Sequence, residues 1–178
     1  MSTCAGARHR RAERTRAMNA VLNWGSEGVD EEAFVESFER CQYPNDRFKH
    51  ADHVRLAWIY IRRHGVDEAE QRIAQSIRAF AGSLGHAEKY HETMTVAWLR
   101  LVYSAYCATP KIEDFQEFIS LHRWLADKRS LNTFYSQRLL ETAQARRLYV
   151  DPDLRRLPGG AWATTTVPPD ETSGESDR

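Results

Sequence analysis

From Asp30 to about Pro152 the large apolar residues recur three and four positions apart, and nowhere do they alternate over a sustained stretch. A period near 3.6 buries one face of a helix, whereas a period of 2 buries one face of a strand, so this pattern restricts the chain to helices packed on helices. No Asn-Gly or Asp-Gly pair offers a tight hairpin turn, and no internal repeat is present. The expected fold is all-α: a single-domain bundle of about six helices over residues 17–162, between a basic leader (1–16) and a polar tail (163–178) that are too poor in apolar residues to pack.

The punctuation supports this division. Asp30 precedes Glu31 and Glu32 and can cap a helix carrying Phe34, Val35 and Phe38 towards Cys41. A second helix runs through His50, His53, Ala57, Tyr60 and Ile61 to Gly65, and a third from Asp67 through Ile73, Ile77 and Phe80 to Gly82–Gly85. A fourth covers about Ala87 to Ala108; its centre, Val96 to Tyr106, is apolar nearly all round and belongs in the middle of the bundle. Thr109-Pro110 opens a helix through Phe115, Phe118, Ile119 and Trp124, and a last one runs from Phe134 to Val150, stopped by Asp151-Pro152. The segment from Val150 to Trp162 is expected to strap across the bundle.

Composition narrows the function classes. The 178 residues hold 25 Lys plus Arg against 25 Asp plus Glu, so nucleic acid is an unlikely partner for a chain without basic excess. No run approaches the roughly 18 apolar residues of a membrane span, and no secretion leader is seen. Cys4, Cys41 and Cys107 are odd in number and scattered, without the spacing of a disulfide framework or thiolate zinc site, which points to a reducing cytoplasm. No glycine-rich fingerprint calls for a nucleotide cofactor. Nothing in the sequence speaks to oligomeric state.

Two motifs some forty residues apart carry the chemistry: His50-Ala51-Asp52-His53, and Lys89-Tyr90-His91-Glu92-Thr93. Histidines three apart share a helix face, and imidazole is the commonest metal ligand near neutral pH. His50, His53, His91 and Glu92 therefore form a candidate set for a divalent metal (iron, zinc or copper), with Glu88 the next carboxylate. Known signatures are incomplete. His91-Glu92-Thr93-Met94-Thr95 has threonine where a zinc protease has its second histidine, and Glu88-Lys89-Tyr90-His91 lacks the twin that a di-iron bundle needs. Asp52-His53 reverses the order of the His-Asp phosphohydrolases. In acid–base chemistry Glu92 would pair with a histidine, and Tyr90 or Tyr135 would donate to a substrate oxygen. His122 shares a face with Ile119, Phe118 and Phe115 and reads as a core histidine; Trp58 and Trp98 are core or pocket walls.

Phe48-x-His50-x-x-His53 with Leu56-Ala57-Trp58, then Tyr90-His91-Glu92-Thr93 with Ala97-Trp98, then Phe134-Tyr135-Ser136 and Val150-Asp151-Pro152-Asp153-Leu154, resembles a family of small, uncharacterised all-helical bacterial proteins. The resemblance covers roughly residues 30 to 158 and implies that this stretch is one domain; no established activity comes with it. The leading expectation is a metal-dependent enzyme acting on a small molecule, an oxygenase or a hydrolase. The alternatives are a metal-free enzyme or ligand-binding protein using His and Glu, and a non-catalytic interaction or regulatory domain.

Overall fold

The computed structural model describes residues 30–159. The expected leader, the polar tail, both ends of the 17–162 domain, Trp24 and Trp162 lie outside the described residues. Among the described residues the chain forms one all-α domain of seven α-helices and three short 3-10 helices.

Helix α1 (Glu31–Glu39) starts where expected: the Asp30 carboxylate accepts the Glu32 N–H at 3.1 Å, and Phe34, Val35 and Phe38 are buried. In α2 (His50–His64) the Asp52 carboxylate reaches back to the Lys49 N–H at 2.8 Å, closing the first turn. Every residue from Val54 to Ile61 in α2 is buried, so this helix is as central as α4. Gly65, at φ 76°, turns α2 directly into α3 (Val66–Ser83), a step that left-handed backbone gives glycine at little cost. A 3-10 turn (Ala87–Lys89) then leads into α4 (Glu92–Ala108), whose N-cap is His91.

The second half is more broken than the periodicity implies. Thr109 ends α4 instead of starting the next helix, and Asp114 caps α5 (Phe115–Leu121) by accepting the Glu117 N–H at 2.8 Å. A Thr-Pro pair immediately after a helix must first terminate it, so the cap passes to the next competent side chain. The expected helix from Phe134 to Val150 is two single-turn pieces, α6 (Gln137–Leu140) and α7 (Ala143–Arg147). Ser136 and Thr142 each accept a backbone N–H three residues on, both at 3.1 Å, restarting the chain where continuous helix was expected. Two further 3-10 turns, Arg123–Ala126 and Lys128–Thr133, link α5 to α6.

Helices α2, α3 and α4 pack on one another around a single apolar core. Phe38 joins Phe48 and Phe80 with ring centroids 4.6 and 4.7 Å away, and Trp58 lies 5.5 Å from Phe115 and 5.7 Å from Phe118. The described part of the expected strap, Val150 to Gly159, lies against α4. Thr93 in the first turn of α4 donates to the Leu148 carbonyl at 2.8 Å and accepts the Val150 N–H at 3.1 Å, and Gly159 passes against Ser104 farther along the same helix. Among the described residues no helix is long and apolar enough to cross a membrane.

Candidate functional site

The start of α2, the middle of α3 and the entry to α4 converge. They enclose a cavity of about 270 Å³ whose wall takes His50, His53 and Ala57 from α2, Ile73 and Ile77 from α3, and Lys89, Tyr90 and His91 from the α4 approach. Met94, Thr95 and Trp98 from α4, together with Lys128, complete it. A second chamber of about 250 Å³ adjoins it, sharing His53, Ile77, Lys89 and Tyr90 and continuing over Phe48, Phe80, Ala81 and Leu84.

The histidines differ in what they leave free. His50 Nε2 lies 2.9 Å from the Leu125 carbonyl oxygen, and its ring meets Trp98 at 4.4 Å. His53 Nδ1 lies 3.1 Å from the Lys49 carbonyl oxygen, its ring 4.1 Å from Phe48. A carbonyl only accepts, so each of these nitrogens carries the hydrogen and the opposite one, His50 Nδ1 or His53 Nε2, bears a lone pair. Neither lone-pair nitrogen has a partner among the described residues, and neither is sealed from the cavity. Burial holds both rings neutral. It lowers the His53 pKa to about 4, with His50 adding to the effect. For His50 burial again dominates and the Lys128 charge assists, against the Leu125 carbonyl and Asp127, which favour the proton.

His91 lines the same cavity but is fully engaged. Its Nδ1 accepts the Met94 N–H at 3.3 Å as the N-cap of α4, and its Nε2 donates to the Leu140 carbonyl at 2.8 Å. Glu92 turns away from the cavity wall: one carboxylate oxygen accepts from Arg78 at 2.6 Å and from the Tyr90 hydroxyl at 2.7 Å. Arg78 also lies over the Tyr90 ring, 4.7 Å from its centroid. The two motifs thus bring His50, His53 and His91 to one cavity, with Glu92 behind the Tyr90 wall. Among the described residues no three His, Cys, Asp or Glu side chains converge as a metal would require.

Tyr90 lines both chambers, and burial, then the Glu92 carboxylate, push its hydroxyl pKa up. Tyr135 is elsewhere, fully buried beneath the strap, where it donates to the Val150 carbonyl at 3.1 Å with the Tyr149 hydroxyl 3.3 Å away. His122, just past the last turn of α5, is half-buried with its ring 4.9 Å from Phe118 and its Nε2 2.9 Å from the Thr109 hydroxyl, in keeping with a bonded histidine at the edge of the core. Glu88 is exposed and lies 3.4 Å from His86.

Sequence reasoning missed Lys89 and Lys128 as cavity residues. Lys89 stands inside the second motif, but its ammonium is no metal ligand; Lys128 carries no signal, because only the 3-10 turns after α5 bring it back beside His50. No family model matches the chain, and neither curated proteins nor solved structures return a match.

Proposed function

We propose that the protein binds a small organic molecule in the His50–His53 cavity and acts on it by acid–base chemistry without a resident metal. The observation that supports this most is the pair of neutral imidazoles in the cavity wall, each with one nitrogen unpartnered among the described residues, beside apolar Ala57, Ile73, Ile77, Met94 and Trp98. Concave, mostly apolar sites with a few convergent polar groups are what small ligands use. A ligand hydroxyl or N–H donating to His53 Nε2 or His50 Nδ1 would be oriented by that bond. The same lone pair receives the proton if the bond breaks. Carbonyl bonds on the far side of each ring fix the tautomer. Tyr90, braced by Glu92 and Arg78, forms the facing wall and keeps its proton.

A divalent metal is the second reading, favoured by the same two open nitrogens at a spacing of three in one helical turn. It would take its remaining ligands from substrate or solvent, since His91 and Glu92 are committed to other bonds.

Nitrogen-15 NMR of the histidine rings tests both. Free protein should show protonated Nε2 on His50 and protonated Nδ1 on His53. Small molecules that stabilise the fold should shift His50 Nδ1 and His53 Nε2 and leave His91 unmoved. Stabilising ligands that move neither nitrogen would sink the proposal. Stoichiometric zinc, copper or iron in untagged protein, absent from His53→Ala, would replace it with the metal reading.

A further inference from the structure

We propose that the molecule taken into this cavity is an ionised amphipathic carboxylic acid, its head at the lysine rim and its hydrocarbon body in the two chambers; this rests on the cavity reading above. Neither chamber has an aspartate or glutamate in its wall, while Lys89 borders both and Lys128 borders the first. The carboxylates next to these lysines in sequence lie outside both walls and have other contacts, although Glu88 also feels the Lys89 charge. Glu88 lies 3.4 Å from His86, and Asp127 is bonded to Arg129 at 2.9 Å. Neither lysine makes an ion pair among the described residues, so two cations border the cavity with no carboxylate in its wall to meet them, the Glu88 charge reaching Lys89 only from outside it.

A cationic ligand meets repulsion here and no partner. A neutral one leaves the rim unused. An anion gains both charges, and its field also raises the pKa of the neighbouring imidazoles, bringing His53 towards the range in which it can exchange a proton. Besides the rim lysines, the histidines, Tyr90, Thr95 and Asn45, the walls are hydrocarbon. Ile73, Met94 and Trp98 line the first chamber, and Phe48, Phe80 and Leu84 the second, with Ile77 common to both. That layout suits an apolar chain running from the lysines across the shared wall.

The test is calorimetric titration of the full chain with decanoate, decan-1-ol and decylamine, each below its aggregation threshold. Decanoate should bind tightest. Lys89→Gln and Lys128→Gln, both at exposed positions, should each weaken decanoate by about twofold to fivefold, as for exposed charge pairs, and leave decan-1-ol unchanged. Met94→Trp, at a part-exposed position in the first chamber, should weaken all binding by filling space. Decan-1-ol or decylamine binding as tightly as decanoate, and weakened by Met94→Trp, would overturn the carboxylate assignment while leaving the cavity reading in place. Decanoate binding untouched by Met94→Trp and by both lysine changes would overturn it too, since the acid would then sit elsewhere.

Discussion

The two sides of α4 treat polar groups in opposite ways. On the strap side every polar group named here is bonded. Thr93 bridges Leu148 and Val150, Tyr135 donates to Val150, and buried Arg100 grips Glu70 with bonds of 2.9 and 3.1 Å while its guanidinium lies 4.1 Å from the Tyr149 ring centre. On the cavity side His50 and His53 each leave a nitrogen open, and two lysines make no ion pair among the described residues. Buried polar groups are normally satisfied, because leaving one unmade costs about 1–3 kcal/mol. The bonded groups on the strap side therefore hold the fold, whereas the open histidine nitrogens and the exposed lysines on the other side are not sealed from solvent and stay available to a ligand. His91 lies in the cavity wall but behaves like the strap, with both nitrogens spent on backbone.

The strap side should yield the largest loss of stability. Tyr135→Ala removes a fully buried ring and its bond to the strap, and should cost about 3–5 kcal/mol in denaturant unfolding. Tyr135→Phe should cost about 1–2 kcal/mol and leave ligand binding intact; a Tyr135→Phe variant with normal stability and no binding would break the division between the two sides. His91→Ala comes next. It loses the α4 cap and strands the Leu140 carbonyl, about 2–3 kcal/mol together. His91→Asn should recover part of that, since asparagine caps well. If instead His91→Ala unfolds like the parent protein but loses a bound metal or ligand, His91 belongs with His50 and His53 as a site residue.

The fold was more legible than the site, for reasons visible in particular residues. Helices α1 to α4 were readable because their stripes are long and their ends are marked by Asp30, Gly65 and the break around Gly82–Gly85. The pieces after Thr109 were not, because Ser136 and Thr142 look like tolerable helix residues until their hydroxyls accept backbone N–H groups. For the site, spacing put His50 and His53 on one face and placed His91 opposite, and all three do line one cavity. Ring protonation cannot be read from spacing: the carbonyls of Leu125, Lys49 and Leu140 decide which nitrogens remain, and two of the three lie more than forty residues from the histidine they hold. Glu92 stands outside the cavity wall because Arg78 and the Tyr90 hydroxyl hold its carboxylate, a pairing that spacing alone does not reveal.

The cavity side has a pH signature of intermediate size. His53 titrates near 4 in the folded state and near 6.5 unfolded, so its folded pKa is depressed. Above about pH 6.5 it is neutral in both states and contributes nothing. As pH falls from about 6.5 to 4 the unfolded chain takes the proton first, so stability is lost through that window and levels off below it. Allowing for the open side of the ring, the loss should be on the order of 1–2 kcal/mol. His53→Gln should flatten that part of the curve, whereas a slope unchanged by the substitution would show that the ring is more hydrated than its packing on Phe48 implies.

The smallest effects should come from the rim. Lys89 and Lys128 are exposed and make no ion pair among the described residues, so Lys89→Gln and Lys128→Gln should shift unfolding free energy by no more than about 0.5 kcal/mol. Lys128 should have one further trace. Its charge helps hold His50 neutral, so removing it should raise the His50 pKa, while Asp127, still bonded to Arg129, keeps favouring the proton. A ring NMR titration of Lys128→Gln reads this directly. An upward move of His50 with His91 unmoved ties the lysine to the cavity imidazoles, and a His50 titration identical to that of the parent protein would place the Lys128 charge too far from the ring to help receive an anion there.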